Sequence, residues 1–77
     1  MDIQDVREYA LNTQINLMRA YKGQNGNSWA RKLSGRIFRT KPTIYKYLNG
    51  SIAMPLDVFL WLTAELNEPK HAHNGKK

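Results

Sequence analysis

Apolar residues recur at helical spacing from the start of the chain. Ile3, Val6, Ala10, Leu17 and Tyr21 mark one stripe, which Leu11, Ile15 and Met18 widen, and the pattern predicts a helix over 3–22. Asp2 is placed to cap it, and Asp5 and Glu8 suit the positive end of its dipole. Asn12-Thr13 is the weak point at which this helix would break in two. The run Gly23-Gln24-Asn25-Gly26-Asn27 predicts a turn. Ser28 then reads as the N-cap of a short helix, SWARKLS, that Gly35 stops. Its buried side is Trp29, Ala30 and Leu33, which leaves Arg31 and Lys32 outside. After RIFR, apolar in the middle and basic at both ends, Thr40 is a second N-cap, with Pro42 in a first turn where its missing N–H costs nothing. That helix runs to Leu48, and Asn49-Gly50 closes it. Pro55 opens the last helix, LDVFLWLTAEL, which ends at about Leu66.

The chain therefore reads as one all-α domain of four to five short helices over 1–66. The remainder, 67–77, is polar, aperiodic and basic, and reads as a disordered tail. In the last helix Leu56, Phe59, Leu62 and Leu66 fill one stripe, so Val58, Leu60 and Trp61 point elsewhere. A helix apolar almost all round is buried on more than one side. The expectation is a homodimer interface at Val58, Leu60 and Trp61, anchored by Trp61. The competing expectation is that the first helix folds back over Trp61.

Charge changes the picture once it is placed along the chain. The net charge is +6, yet residues 1–22 sum to zero, with Asp2, Asp5 and Glu8 against Arg7, Arg19 and Lys22. Residues 51–69 hold Asp57, Glu65 and Glu68 with no base, and the tail holds Lys70, Lys76 and Lys77. The middle, 23–50, carries Arg31, Lys32, Arg36, Arg39, Lys41 and Lys46 and no acid. A block of one sign inside a folding segment points to a polyanionic partner.

Other chemistries find little support. There is no cysteine, and His71 and His73 stand in a tail without other metal ligands, so neither a metal nor a cofactor is expected. No nucleophile–base constellation, carboxylate pair or Gly-rich phosphate loop appears, and GQNG follows no strand, so the chain does not read as an enzyme. The absence of a long apolar run and an amphipathic, acidic start argue against a membrane span or secretion signal. A soluble, cytoplasmic protein is expected.

A short helix, a turn and a second helix, with bases on the outer faces of both, is the outline of a helix-turn-helix. Thr40, Thr43-Ile44, Tyr47-Leu48 and Asn49-Gly50 give TKPTIYKYLNG the sequence pattern of a recognition helix. This segment resembles that helix in the lambda-repressor-like superfamily, which includes the lactose repressor and the phage Cro and repressor proteins. SWARKL is similar to the first helix of that unit, with Ala30 as the small residue at the helix contact, and MPLDVFLWLTAEL looks like the helix that follows. The resemblance spans roughly residues 15 to 66 and departs from the family once. Ala30 and Thr40 are ten apart, where the family has about six. The four extra residues, within SGRIFR, must lengthen the turn or extend the first helix; an enlarged turn over 34–40 is the expectation, with Ile37 or Phe38 plugging the core.

The resemblance implies that Lys41, Pro42, Tyr45, Lys46 and Asn49 face the major groove. The lysines would donate to guanine or phosphate, and Tyr45 would offer an apolar face and a hydroxyl. Asn49 would pair with adenine or merely cap the helix, and Tyr47 belongs to the core. Arg31, Lys32, Arg36, Arg39 and Thr40 are implied backbone contacts. The implied function is that of a sequence-specific regulator of double-stranded DNA, Cro-like and of phage or prophage type, acting as a homodimer without a small-molecule effector. The alternative is a protein–protein module, an antitoxin or phage-encoded inhibitor, on the same scaffold. RNA binding is less favoured, since only Tyr45 reads as an exposed aromatic near the basic face.

Overall fold

In a computed structural model, residues 2–68 fold into four α-helices joined by short connections: α1 (Ile3–Asn25), α2 (Trp29–Ile37), α3 (Lys41–Asn49) and α4 (Leu56–Asn67), with a 3-10 turn at Gly26–Ser28 between α1 and α2. No strand occurs among these residues. The tail expected over 67–77 lies, from residue 69 onward, outside the described residues, as do His71 and His73.

Asp2 opens α1 with a reciprocal capping box: its side chain accepts from Gln4 N at 3.3 Å, and its own N–H donates to Asp5 Oδ2 at 3.4 Å. The helix does not break at Asn12-Thr13. The Thr13 hydroxyl donates to the carbonyl of Tyr9 at 2.8 Å, so its polar group is satisfied within the helix. α1 also runs past Gly23, and Asn25 Nδ2 donates to the Tyr21 carbonyl at 2.9 Å before Gly26 (φ 72°) ends the helix.

The enlarged turn does not form. α2 passes through Gly35 to Ile37, and only Phe38, Arg39 and Thr40 separate it from α3. The extra residues lengthen the helix because Ile37, one turn beyond Leu33, is buried and draws the helical conformation with it. Phe38 ends α2 in the left-handed conformation (φ 57°) and is 86% exposed. So Ile37, not Phe38, plugs the core.

The core gathers Met18 and Tyr21 of α1, Trp29, Ala30, Leu33 and Ile37 of α2, Ile44 and Tyr47 of α3, Met54, and Val58 and Leu62 of α4. One polar residue is buried with them. Gln14, on the core face of α1, donates from Nε2 to the carbonyls of Tyr47 (2.8 Å) and Ile52 (2.9 Å), and its Oε1 accepts from Met54 N (2.8 Å). These three bonds tie the end of α3 and the α3–α4 connection to α1.

That connection sets the rotation of α4 and corrects the expected faces. Val58 is 4% exposed and lies in the chain's own core, while Leu56, expected inside, is 72% exposed. Trp61 is half-buried and lies against Tyr21, ring centroids 6.4 Å apart and tilted at 56°, so α1 covers it. Of the expected interface set Val58, Leu60 and Trp61, only Leu60 stands on the surface. Anchoring the α3–α4 connection to Gln14 fixes where α4 begins, with Val58 and Leu62 inward, and a helix apolar on every side carries no competing signal.

Candidate nucleic-acid interface

Thr40-Lys41-Pro42 starts α3 and Gly50 stops it, in the left-handed conformation (φ 77°) with its N–H on the carbonyls of Lys46 and Tyr47. Ile44 and Tyr47 bury the inner side of the helix. Lys41, Pro42, Tyr45, Lys46 and Asn49 all lie exposed. Their spacing puts Lys41, Tyr45 and Asn49 along one row and Pro42 and Lys46 along the next, so the five share one face.

Tyr45 does not stand free on that face. Its ring meets the buried Trp29 edge-on, centroids 5.5 Å apart and planes at 76°, an arrangement that suits the ring quadrupoles. The Lys22 ammonium lies 5.9 Å from the same Trp29 ring. Trp29 thus holds Tyr45 in place and joins the α3 face to a shallow hollow lined by Arg19, Lys22, Gly23, Gly26, Asn27 and Trp29. Reading the sequence missed Arg19 and Lys22, because the charges of residues 1–22 cancel in sum. In space they do not cancel. Asp2, Asp5 and Glu8 occupy one end of α1 and Arg19 and Lys22 the other, with ~16 Å of helix between Glu8 and Arg19. The segregation is present in the sequence: all three acids precede residue 9, with Arg7 the one base among them, and Arg19 and Lys22 follow.

The residues expected at the backbone do not gather into one group. Arg31 and Lys32 are exposed, and with Tyr21, Asn25, Gly35, Arg36 and Glu65 they line a second hollow against α1 and α4. Arg36 is turned toward α4, its Nη1 3.6 Å from Glu65 Oε2 and its guanidinium 6.0 Å from the Trp61 ring centre. Arg39 folds back on the turn and donates from Nη1 to the carbonyl of Ile37 at 3.0 Å, while its own carbonyl accepts from the Ser34 hydroxyl at 2.6 Å. Arg39 therefore braces the α2–α3 corner, while Arg36 links α2 to α4. Thr40 occupies the N-cap position of α3 without a side-chain cap; its hydroxyl lies 3.1 Å from that of Thr43. Asn49 acts as a local cap, its Oδ1 accepting from Ser51 N (3.0 Å) and the Ser51 hydroxyl (2.6 Å).

The face that remains available is a row of donors, Lys41, Lys46 and the Tyr45 hydroxyl, beside Arg19 and Lys22. Such a surface can grip an anion and discriminate hydrogen-bond acceptors. Among the described residues no group of three or more His, Cys, Asp or Glu side chains is placed to hold a metal ion, and none of the described helices is long and apolar enough to cross a membrane. No protein-family model matches the chain, and neither does any curated protein or solved structure.

Proposed function

We propose that the chain is a sequence-specific, double-stranded DNA-binding regulator of helix-turn-helix type, Cro-like in action, with α2 as the supporting helix and α3 as the reading helix. The observation that carries this reading is the division of α3: Lys41, Pro42, Tyr45 and Lys46 outside, Ile44 and Tyr47 inside. A helix of ~10–12 Å diameter fits the major groove. Lys41 and Lys46 would reach base acceptors or phosphates, and Tyr45, backed by Trp29, would present its ring edge and hydroxyl at a fixed position. Arg19, Lys22, Arg31 and Lys32 would add contacts to the phosphates. Asn49 is spent on capping in this reading, Arg39 on holding the α2–α3 corner and Arg36 on the contact with α4.

The test is selection from a random duplex library at about physiological salt. An enriched motif supports the reading, and an inverted repeat adds two-fold symmetry. Retention without an enriched motif reduces the basic face to an electrostatic grip. The second reading is a protein–protein module, an antitoxin or inhibitor, on the same scaffold. It draws on Phe38, a large apolar side chain that is exposed although its residue holds the left-handed conformation. Loss of all duplex binding would favour it.

A further inference from the structure

The end of α1 carries a bare strip between two bases. Arg19, Lys22, Gly23 and Gly26 follow at i, i+3, i+4 and i+7, which puts them along one side of the helix and its cap. With Asn27 and Trp29 they line the hollow at the α1–α2 corner, about 540 Å³ in volume and with no acid in its lining.

Gly26 is explained by its φ of 72°, which ends α1. Gly23 is not explained by the fold. It lies inside α1 and outside the positive-φ region, and a Cβ added to it would meet nothing within 4 Å. A glycine there weakens the helix relative to alanine, and neither conformation nor packing asks for it. What the missing side chain does supply is room for a ligand to approach the backbone closely.

We propose that this hollow seats a phosphodiester of the duplex strand beside the groove that α3 reads. Arg19, Lys22 and the Asn27 amide are the donors, and the backbone at Gly23 is the floor on which the strand lies. The proposal rests on the DNA-binding reading and deepens it by naming the seat. The hollow is broad and shallow, which suits a strand crossing it, whereas small-molecule sites enclose most of their ligand. It is also tied to the reading helix. The Lys22 ammonium lies 5.9 Å from the centre of the Trp29 ring, and the same buried ring holds Tyr45 edge-on at 5.5 Å. A phosphate held beside Lys22 therefore sets where Tyr45 falls along the duplex. The second basic hollow provides a control: it too is lined by a helical glycine open to solvent, Gly35, but Glu65 stands in its lining.

The test is titration of a labelled duplex with the full chain at about physiological salt, read by fluorescence anisotropy. Gly23→Glu brings a carboxylate into the seat without a clash and replaces glycine by a better helix former. The thermal midpoint should hold or rise, while the dissociation constant rises roughly tenfold or more. Gly35→Glu makes the same charge change in open space on α2 and should cost less than about threefold. Replacing the duplex phosphates one at a time by uncharged methylphosphonate should find a position that weakens the parent about tenfold and Lys22→Ala hardly at all. Equal losses for Gly23→Glu and Gly35→Glu would overturn the seat, as would the absence of such a position. Both of those results leave the reading of α3 standing if the parent still selects a motif, whereas a parent that binds no duplex removes the reading and the seat together.

Discussion

The two halves of α1 begin with nearly the same means and meet opposite fates. Ile3, Val6, Ala10 and Leu11 form a stripe much like that of Ile15, Leu17, Met18 and Tyr21. The C-terminal half is the hub against which α2, α3 and α4 pack, while residues 2–10 lie in water. The halves also differ in charge: Asp2, Asp5 and Glu8 outweigh Arg7 in the first, and Arg19 and Lys22 stand without an acid in the second. Amphipathicity thus states that a face seeks cover, and the rest of the chain states whether cover is supplied. The half covered from within carries Arg19 and Lys22, and the other keeps its apolar stripe in water.

The strongest way to break the comparison is to unfasten the covered half. Gln14→Leu removes the partners of Met54 N–H and of the Tyr47 and Ile52 carbonyls. Buried groups left unpaired make a loss of about 3 kcal/mol the expected outcome in urea denaturation. Gly50→Ala comes next. Its φ of 77° disfavours a side chain, and an added Cβ would sit 3.0 Å from Ile15 Cδ1 on the covered half, so a loss of about 1–2 kcal/mol is expected by the same measurement. At the basic end, Lys46→Ala should weaken binding to a selected duplex roughly tenfold. The unfolding midpoint should move little, because Lys46 is exposed. Equal losses of binding and stability would remove Lys46 from the reading face. Phe38→Gly should stabilise the monomer by about 0.5–1 kcal/mol through relief of the left-handed conformation; a thermal melt reads it. Smallest of all, Ile3→Ala should leave the stability of the monomer within ~0.5 kcal/mol of the parent. A larger loss at dilutions where only monomer exists would mean that the projecting half is covered by its own chain after all.

Much of α3 was legible from its ends. Thr40 and Pro42 before it and Asn49-Gly50 after it bracket the helix, and within so short a segment the alternation of Ile44 and Tyr47 with Lys41, Tyr45 and Lys46 leaves one choice of faces. The last helix offered no such choice. LDVFLWL is apolar whichever way it turns, so periodicity found a helix there but not its rotation. Its pattern points to Leu56 for the core and Val58 for a dimer interface, whereas Leu56 is exposed and Val58 lies in the chain's own core. Gly35 was read as a stop, although a glycine inside a helix costs only ~1 kcal/mol, which the burial of Ile37 offsets. The sequence offers Arg36 and Arg39 as backbone contacts because their partners, Glu65 with Trp61 and the Ile37 carbonyl, belong to packing or to the conformation of a turn. Gln14 did leave a trace, as a polar residue interrupting an apolar stripe. Its three partners lie more than thirty positions away, where no local pattern reaches.

The sequence by itself determined the all-helical class, most of the helix boundaries and the outer face of α3. Caps, glycine stops and helical periodicity involve groups within a few residues of one another, so their energetics are complete before any tertiary contact forms. The tertiary structure alone decided the rotation of α4, the path of α2 through Gly35, the capture of Arg36 and the joining of Arg19 and Lys22 to the basic face. It also decided which half of α1 would be covered. Each of those depends on which surface another element removes from water, and that is a property of the packed chain.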